Sequence, residues 1–175
     1  MKSKSADPNV DLFFATMTFK HFGDLQRVTA LDIMRREVGI FAGALLKRLF
    51  RNPNSSILTE RNFAVLLFPD LPVRKSKVKS NDYKKNLDLT SVNNGLHLHG
   101  PLMIPKISRL RGESLIDHIN RKPATYCPKH GKIQEIHLVP ITDAEKATAY
   151  AAKHLYRGSF DTSDMIVAPK ARSEM

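Results

Sequence analysis

The sequence predicts an α+β domain in which helices flank a central antiparallel β-sheet. Short apolar runs have the composition and length of strands, two longer segments have helical spacing, and Asn93, Asn94 and Gly95 form a hairpin signal between two strand-like segments. With 175 residues, 42% of them hydrophobic, the chain has room for one ordinary core. We therefore expect one domain over residues 11–160, after a polar, flexible lead-in at 1–10 and before a tail at 161–175.

The first half of the chain predicts a strand and then a helix. Aromatic and β-branched residues at 12–19 suit the middle of a sheet. The residues expected on one face of that strand are Phe13, Ala15, Met17 and Phe19. From Thr29, the expected N-cap, apolar residues recur every three or four positions up to Leu49, which predicts an amphipathic helix. The motif RNPNSS then ends the helix.

The second half predicts the remaining strands and helices of the domain. A continuous apolar run at 62–68 predicts a strand buried on both faces and ended by Pro69 and Pro72. The other expected elements are the hairpin about Asn93 and Asn94, a helix at 108–120, a strand at 133–141, a helix from a capping box at 142–145 to about Tyr156, and a short strand at 165–168.

The charge of the chain indicates a polyanionic partner. Lys and Arg number 28 against 17 Asp and Glu, for a formal net charge of +11. A basic loop at residues 74–85 has little to bury and is expected to be mobile and to contact nucleic acid. Its cations are Arg74, Lys75, Lys77, Lys79, Lys84 and Lys85.

Two features indicate a soluble protein in a reducing compartment. No apolar run approaches the roughly 20 residues of a membrane-spanning helix, and the N-terminal residues lack the apolar core of a signal peptide. Cys127 is the single cysteine, so no internal disulfide can form. We expect no membrane association.

Two histidines, His97 and His99, lie one residue apart on the strand after the hairpin signal. Side chains alternate along a strand, so both imidazoles point to one face, about 7 Å apart, and can converge on one divalent ion. If the turn has two residues, cross-strand pairing places Asp88 opposite His99 as a third, oxygen ligand. By itself, however, the H-x-H pattern is also typical of partly buried, hydrogen-bonded histidines.

The third ligand depends on the turn. A three-residue loop would shift the register and turn Asp88 away from the histidines. Glu135 and His137, on a neighbouring predicted strand, are the alternatives in that case.

The last predicted helix carries a tyrosine and a lysine on one face. Tyr150 and Lys153 are three residues apart, hence neighbours on a helix. A phenol is mostly protonated at neutral pH and is a poor nucleophile unless a cation stabilises the phenolate or a metal activates its target. Lys153 supplies such a cation, although a tyrosine packed on a lysine stem is also common on amphipathic helices.

In combination, three short motifs resemble those of a known superfamily. The motifs FFATMTF, HLHG and YAAK occur in the order and approximate spacing of the HUH endonucleases of the rolling-circle replication initiator class, over residues 12–157. The resemblance implies an RRM-like, ferredoxin-like sheet. It implies that His97 and His99 bind Mg²⁺ or Mn²⁺, that Tyr150 attacks a phosphate in single-stranded DNA to form a 5′-phosphotyrosyl enzyme, and that Lys153 helps to position or neutralise the phosphate.

The same resemblance implies partners. The substrate would be single-stranded DNA at an origin or hairpin. Tyr156 lies about 240° round the helix from Tyr150, which predicts a single-tyrosine enzyme. The chain has no G-x-x-x-x-G-K-[ST] motif, so a separate helicase is expected. The expected compartment is the bacterial cytoplasm, in a plasmid or phage context, or the nucleus of a eukaryotic host.

Two alternatives stay open at this point. Small HUH transposases share the histidine strand and the size, but typically carry a glutamine further along the tyrosine helix, so Lys153 favours the initiators. A non-catalytic nucleic-acid-binding protein on the same fold would keep the basic surface and be indifferent to the loss of Tyr150.

Overall fold

A computed structural model describes residues 9–23, 25–53, 63–70, 96–153 and 161–169, and the structural statements below concern these residues. The five strands are β1 (Val10–Phe19), β2 (Ala64–Asp70), β3 (His97–Pro105), β4 (Ile133–Pro140) and β5 (Ile166–Ala168). The four α-helices are α1 (Arg27–Leu49), α2 (Leu115–Arg121), α3 (Pro123–Tyr126) and α4 (Ala144–Ala151). The predicted α+β class is confirmed.

The strands form one sheet in the order β4-β1-β3-β2-β5, and every neighbouring pair is antiparallel. The succession β1-α1-β2-β3-α2-β4 with spatial order 4-1-3-2 is the ferredoxin-like arrangement. Strand β5, expected at 165–168, extends the sheet beyond β2. Helix α4 follows β4 and contacts β3.

The main core lies between one face of the sheet and α1. The face of β1 predicted to be buried is buried, with Met17 and Ala15 fully inaccessible. Helix α1 packs its apolar stripe onto this face. The stripe consists of Leu31, Met34, Val38, Phe41 and Leu45. Helices α2 and α3 complete this core through Leu115, Ile119 and Tyr126.

The opposite face of the sheet carries a smaller apolar cluster. Ala151 and Ala152, at the end of α4, pack with Phe68 of β2, and Phe14 of β1 lies against them half-buried. Because both α4 residues are alanines, the end of the helix can lie close to the sheet. This contact is what brings the last turn of α4 to the histidine strand.

Three helix starts differ from the predictions. Helix α1 begins at Arg27 after Gln26, two residues before the expected cap Thr29. Helix α2 begins at Leu115, because the Ser114 side chain caps it by accepting a hydrogen bond from the Asp117 amide.

The segment just before α2 cannot belong to the predicted helix at 108–120, because Arg111 and Gly112 both have positive φ. Helix α4 is capped by Asp143, which accepts from the Lys146 amide at 3.0 Å, where the sequence pattern favoured Thr142. No described helix is long and apolar enough to cross a membrane.

Candidate metal site

The register of β2 and β3 brings a carboxylate to the two histidines. Asp70 is opposite His97, and Phe68 is opposite His99, so all four side chains lie on the face that carries α4. Gly100 follows His99, and a Cβ at this position would collide with the backbone carbonyl oxygen of Leu66. The glycine therefore permits the close approach of β2 that places Asp70 beside the histidines.

The three side chains form a compact group of donor atoms. Asp70 Oδ2 lies 3.3 Å from His99 Nδ1 and 3.6 Å from His97 Nε2. One donor atom from each residue lies within 4.8 Å of the others. The side chains of His99 and Asp70 are 3% and 5% exposed, whereas that of His97 is 25% exposed. Two imidazole nitrogens and one carboxylate oxygen in this arrangement can hold a divalent metal ion.

The state of His99 fits the binding of a cation. Burial lowers its pKa to about 4, against an opposing effect of the Asp70 charge, while Lys153 and His97 lower it further. His99 is therefore neutral at physiological pH, which is the form that a metal binds. Its Nδ1 faces Asp70 Oδ2 at 3.3 Å, so this nitrogen is the donor atom on the Asp70 side of the ring.

Helix α4 adds a phenol and an ammonium group to the same place. The Tyr150 ring lies 5.5 Å from the His99 ring and 5.7 Å from the Phe14 ring, measured between centroids. Lys153 Nζ lies 4.3 Å from the centre of the Tyr150 ring and 2.8 Å from Asp70 Oδ2. Tyr150 is 55% exposed, so its phenol can be reached from solvent while its ring packs on the buried histidine.

The structure thus brings together four of the residues singled out in the sequence: His97, His99, Tyr150 and Lys153. Asp88 lies outside the described residues, as do the six cations of the loop at 74–85. On the neighbouring strands, Thr16 of β1 and Phe68 of β2 lie opposite His99.

The alternative ligands are not part of the group. Glu135 and His137 are exposed on β4. His137 is aligned with Thr16 of β1, which in turn is aligned with His99. Two strand spacings, about 10 Å, therefore separate the backbones of the two histidines.

Sequence reasoning missed Asp70 and Phe14. The strand was expected to stop at Pro69, yet β2 continues to Asp70. Strand β5 pairs only with residues Val65 to Leu67, so among the described strands Pro69 has a neighbour on one side alone, where a missing amide is tolerated. Asp70 lies two residues after Phe68, a buried aromatic residue of the same strand. This spacing was the signal in the sequence that could have revealed Asp70.

Comparisons of the chain with models of protein families, with curated proteins and with solved structures found no match. The assignment of a chemistry to this site therefore depends on its geometry and on the three sequence motifs.

Proposed function

We propose that this chain is a metal-dependent endonuclease and strand transferase for single-stranded DNA, of the HUH replication-initiator type, with Tyr150 as its nucleophile. The observation that carries the proposal is the contact between the half-exposed Tyr150 and the buried His99 of the Asp70–His97–His99 group. A phenol, an ammonium group and three metal-ligating side chains converge here from one helix and two strands.

The metal ion of the proposal is Mn²⁺ or Mg²⁺. Asp70, His97 and His99 would hold it, and three protein donors leave coordination positions for phosphate oxygens or water. Two imidazole nitrogens favour Mn²⁺, since Mg²⁺ prefers oxygen ligands. When bound, the ion acts as a Lewis acid on the non-bridging oxygens of the phosphate.

In the proposed reaction, Tyr150 Oη attacks the phosphorus atom of a scissile phosphodiester. A bond forms between Oη and phosphorus, and the bond from phosphorus to the 3′ oxygen breaks. The phenolic proton passes to water, which reaches the exposed phenol, and the departing 3′ oxygen takes a proton from water. The products are a 5′-phosphotyrosyl enzyme and a free 3′-hydroxyl, and the reverse reaction joins the strand.

The packing around Tyr150 supports its role as a positioned nucleophile. Phe14 and His99, on the sheet, contact the Tyr150 ring and restrict its movement, and the adjacent Ala151 is fully buried against the sheet. Lys153, beside the ring, provides the positive charge that favours a phenolate and a nearby phosphate. Positioning of this kind, with electrostatic stabilisation, is the main requirement of phosphoryl transfer.

Single-stranded DNA suits the rest of the chain as a substrate. The net charge of +11 favours binding of a polyanion, and the cations of residues 74–85 supply much of it. The proposal includes a helicase as the partner that exposes the single strand.

A denaturing gel tests the proposal. The protein is incubated with Mn²⁺ and a pool of labelled single-stranded oligonucleotides, with EDTA as the metal-free control. We expect a covalent adduct that is lost with EDTA, in Tyr150→Phe and in Asp70→Asn. Tyr156→Phe, a change of the nearest tyrosine in the sequence, should keep the adduct.

Two outcomes would contradict the proposal in different ways. An adduct that persists in Tyr150→Phe would exclude Tyr150 as the nucleophile. Salt-sensitive DNA binding without an adduct from a pool that covers all short sequences would favour the non-catalytic nucleic-acid-binding alternative.

A further inference from the structure

Lys153 and a bound metal ion need the same oxygen atom. The ammonium group lies 2.8 Å from Asp70 Oδ2, and this is the oxygen that also lies nearest to His99 Nδ1, at 3.3 Å, and within 3.6 Å of His97 Nε2. A cation held by Asp70 and the two histidines would thus lie beside the Lys153 ammonium group, which is already ion-paired with Asp70, the anionic member of the three ligands. Both charges cannot keep this position without strong repulsion in a buried site.

We propose that Lys153 is a displaceable counter-ion of Asp70: it neutralises the carboxylate while the metal is absent, and metal binding releases its ammonium group toward the Tyr150 side of the site. This inference rests on the metal site of the proposed function and adds a coupling between metal loading and the position of the lysine.

The burial of Asp70 explains why a counter-ion is needed. Its side chain is 5% exposed, and a buried carboxylate without a compensating charge is strongly destabilising. The lysine ammonium supplies this charge in the structure.

The position of Lys153 explains why it can leave. Its side chain is 22% exposed, so a path to solvent exists, and it follows the C-cap residue Ala152 at the end of α4. The Tyr150 ring lies against the ammonium group at 4.3 Å and offers a second favourable contact nearby. Movement of one flexible side chain, without movement of the helix, is sufficient to vacate Asp70.

The consequence is an order of events. Without metal, Lys153 is engaged by Asp70 and unavailable to a phosphate. With metal, the released ammonium group lies beside the nucleophile, where a phosphate of the DNA would attract it. Because Lys153 competes for Asp70, the site binds metal more weakly than its three ligands alone would. Metal binding in turn places a second cation, the Lys153 ammonium group, beside the nucleophile.

Metal affinity measured without DNA tests the coupling. Mn²⁺ binding is measured by isothermal titration calorimetry or by electron paramagnetic resonance for the wild type, Lys153→Met and Lys153→Arg. We expect Lys153→Met to bind Mn²⁺ about five- to tenfold more tightly, because the competing ion pair is gone, and Lys153→Arg to bind within about twofold of the wild type. Lys146→Met is the matched control: Lys146 is on the same helix, is 87% exposed and pairs with Asp143, so Mn²⁺ affinity should not change.

Three results would overturn the inference. Unchanged affinity in Lys153→Met would show that the lysine does not compete, and weaker affinity would show that it assists metal binding. If neither the wild type nor folded Lys153→Met binds Mn²⁺, the metal site itself is rejected. Lys153→Gln serves as the second variant if the methionine disturbs folding. Failure of the proposed function can be distinguished from failure of this inference. If Lys153→Met binds Mn²⁺ more tightly but the wild type forms no DNA adduct, the coupling between lysine and metal is supported and the nuclease activity is rejected.

Discussion

The buried, neutral state of His99 predicts a specific dependence of stability on pH. Folding lowers the pKa of this imidazole from 6.5 to about 4, chiefly through burial. Between these two pH values, His99 is mostly protonated in the unfolded chain and mostly neutral in the folded chain. The free energy of unfolding therefore decreases as the pH falls. The contribution is fully present above the unfolded pKa and is lost as the pH falls toward the folded one.

The size of the effect follows from the two pKa values. The loss due to His99 amounts to roughly 1 kcal/mol at about pH 5.5 and roughly 2 to 3 kcal/mol at about pH 4.5, relative to about pH 7.5. Urea unfolding followed by circular dichroism in EDTA measures it. Other groups titrate in this range, so the informative quantity is the difference between the wild type and His99→Asn, whose amide does not titrate.

We expect the wild type to lose more stability over this range than His99→Asn, by the amount stated. His21→Asn, at an exposed histidine, is the matched control and should behave as the wild type. Equal losses in the wild type and His99→Asn would refute the view that His99 is held neutral by burial, and with it the reason that this ring is ready for a metal at physiological pH.

Two further predictions concern the approach of β2 to β3 beside the site and the main core on the opposite face of the sheet. Gly100→Ala should lower the free energy of unfolding, measured in urea, by about 2 to 4 kcal/mol, because the added Cβ would displace the backbone of Leu66 in β2. The control is Gly39→Ala, at a helix position where a Cβ meets nothing within 4 Å, and this change should raise the free energy of unfolding by up to about 1 kcal/mol. If Gly100→Ala were tolerated equally well, the close approach of β2 to Gly100 would be contradicted. Tyr126→Phe should cost about 1 to 3 kcal/mol, because buried His118 loses its 3.0 Å hydrogen bond to the phenol; a neutral effect would show that this bond adds nothing to stability.

Much of the fold could be predicted from the periodicity of apolar residues. The buried alternation of β1 and the apolar stripe of α1 each involve many residues, so single exceptions do not obscure them. Helix starts were less predictable, because Ser114 and Thr142 are similar as potential caps in sequence and only the local backbone decides which side chain reaches an amide.

The candidate site was predictable only in part. Spacing along one element is sufficient to place His97 beside His99, and Tyr150 beside Lys153. The carboxylate depended on which strand lies next to the histidine strand, and this is a property of the whole sheet. The turn argument expected Asp88 as the oxygen ligand, whereas the carboxylate that the described residues bring to the histidines is Asp70, opposite His97.

The central claim, that Tyr150 forms a covalent bond to DNA, can be tested most directly by mass spectrometry of a nuclease-trimmed adduct. Trypsin cleaves after Lys146, Lys153 and Arg157, so Tyr150 and Tyr156 fall in separate peptides, residues 147–153 and 154–157. The proposed mechanism predicts a nucleotide attached through a 5′-phosphate to the peptide 147–153, formed with Mn²⁺ and absent with EDTA. A nucleotide on the peptide 154–157, or no modified peptide from protein that binds both Mn²⁺ and single-stranded DNA, would contradict it.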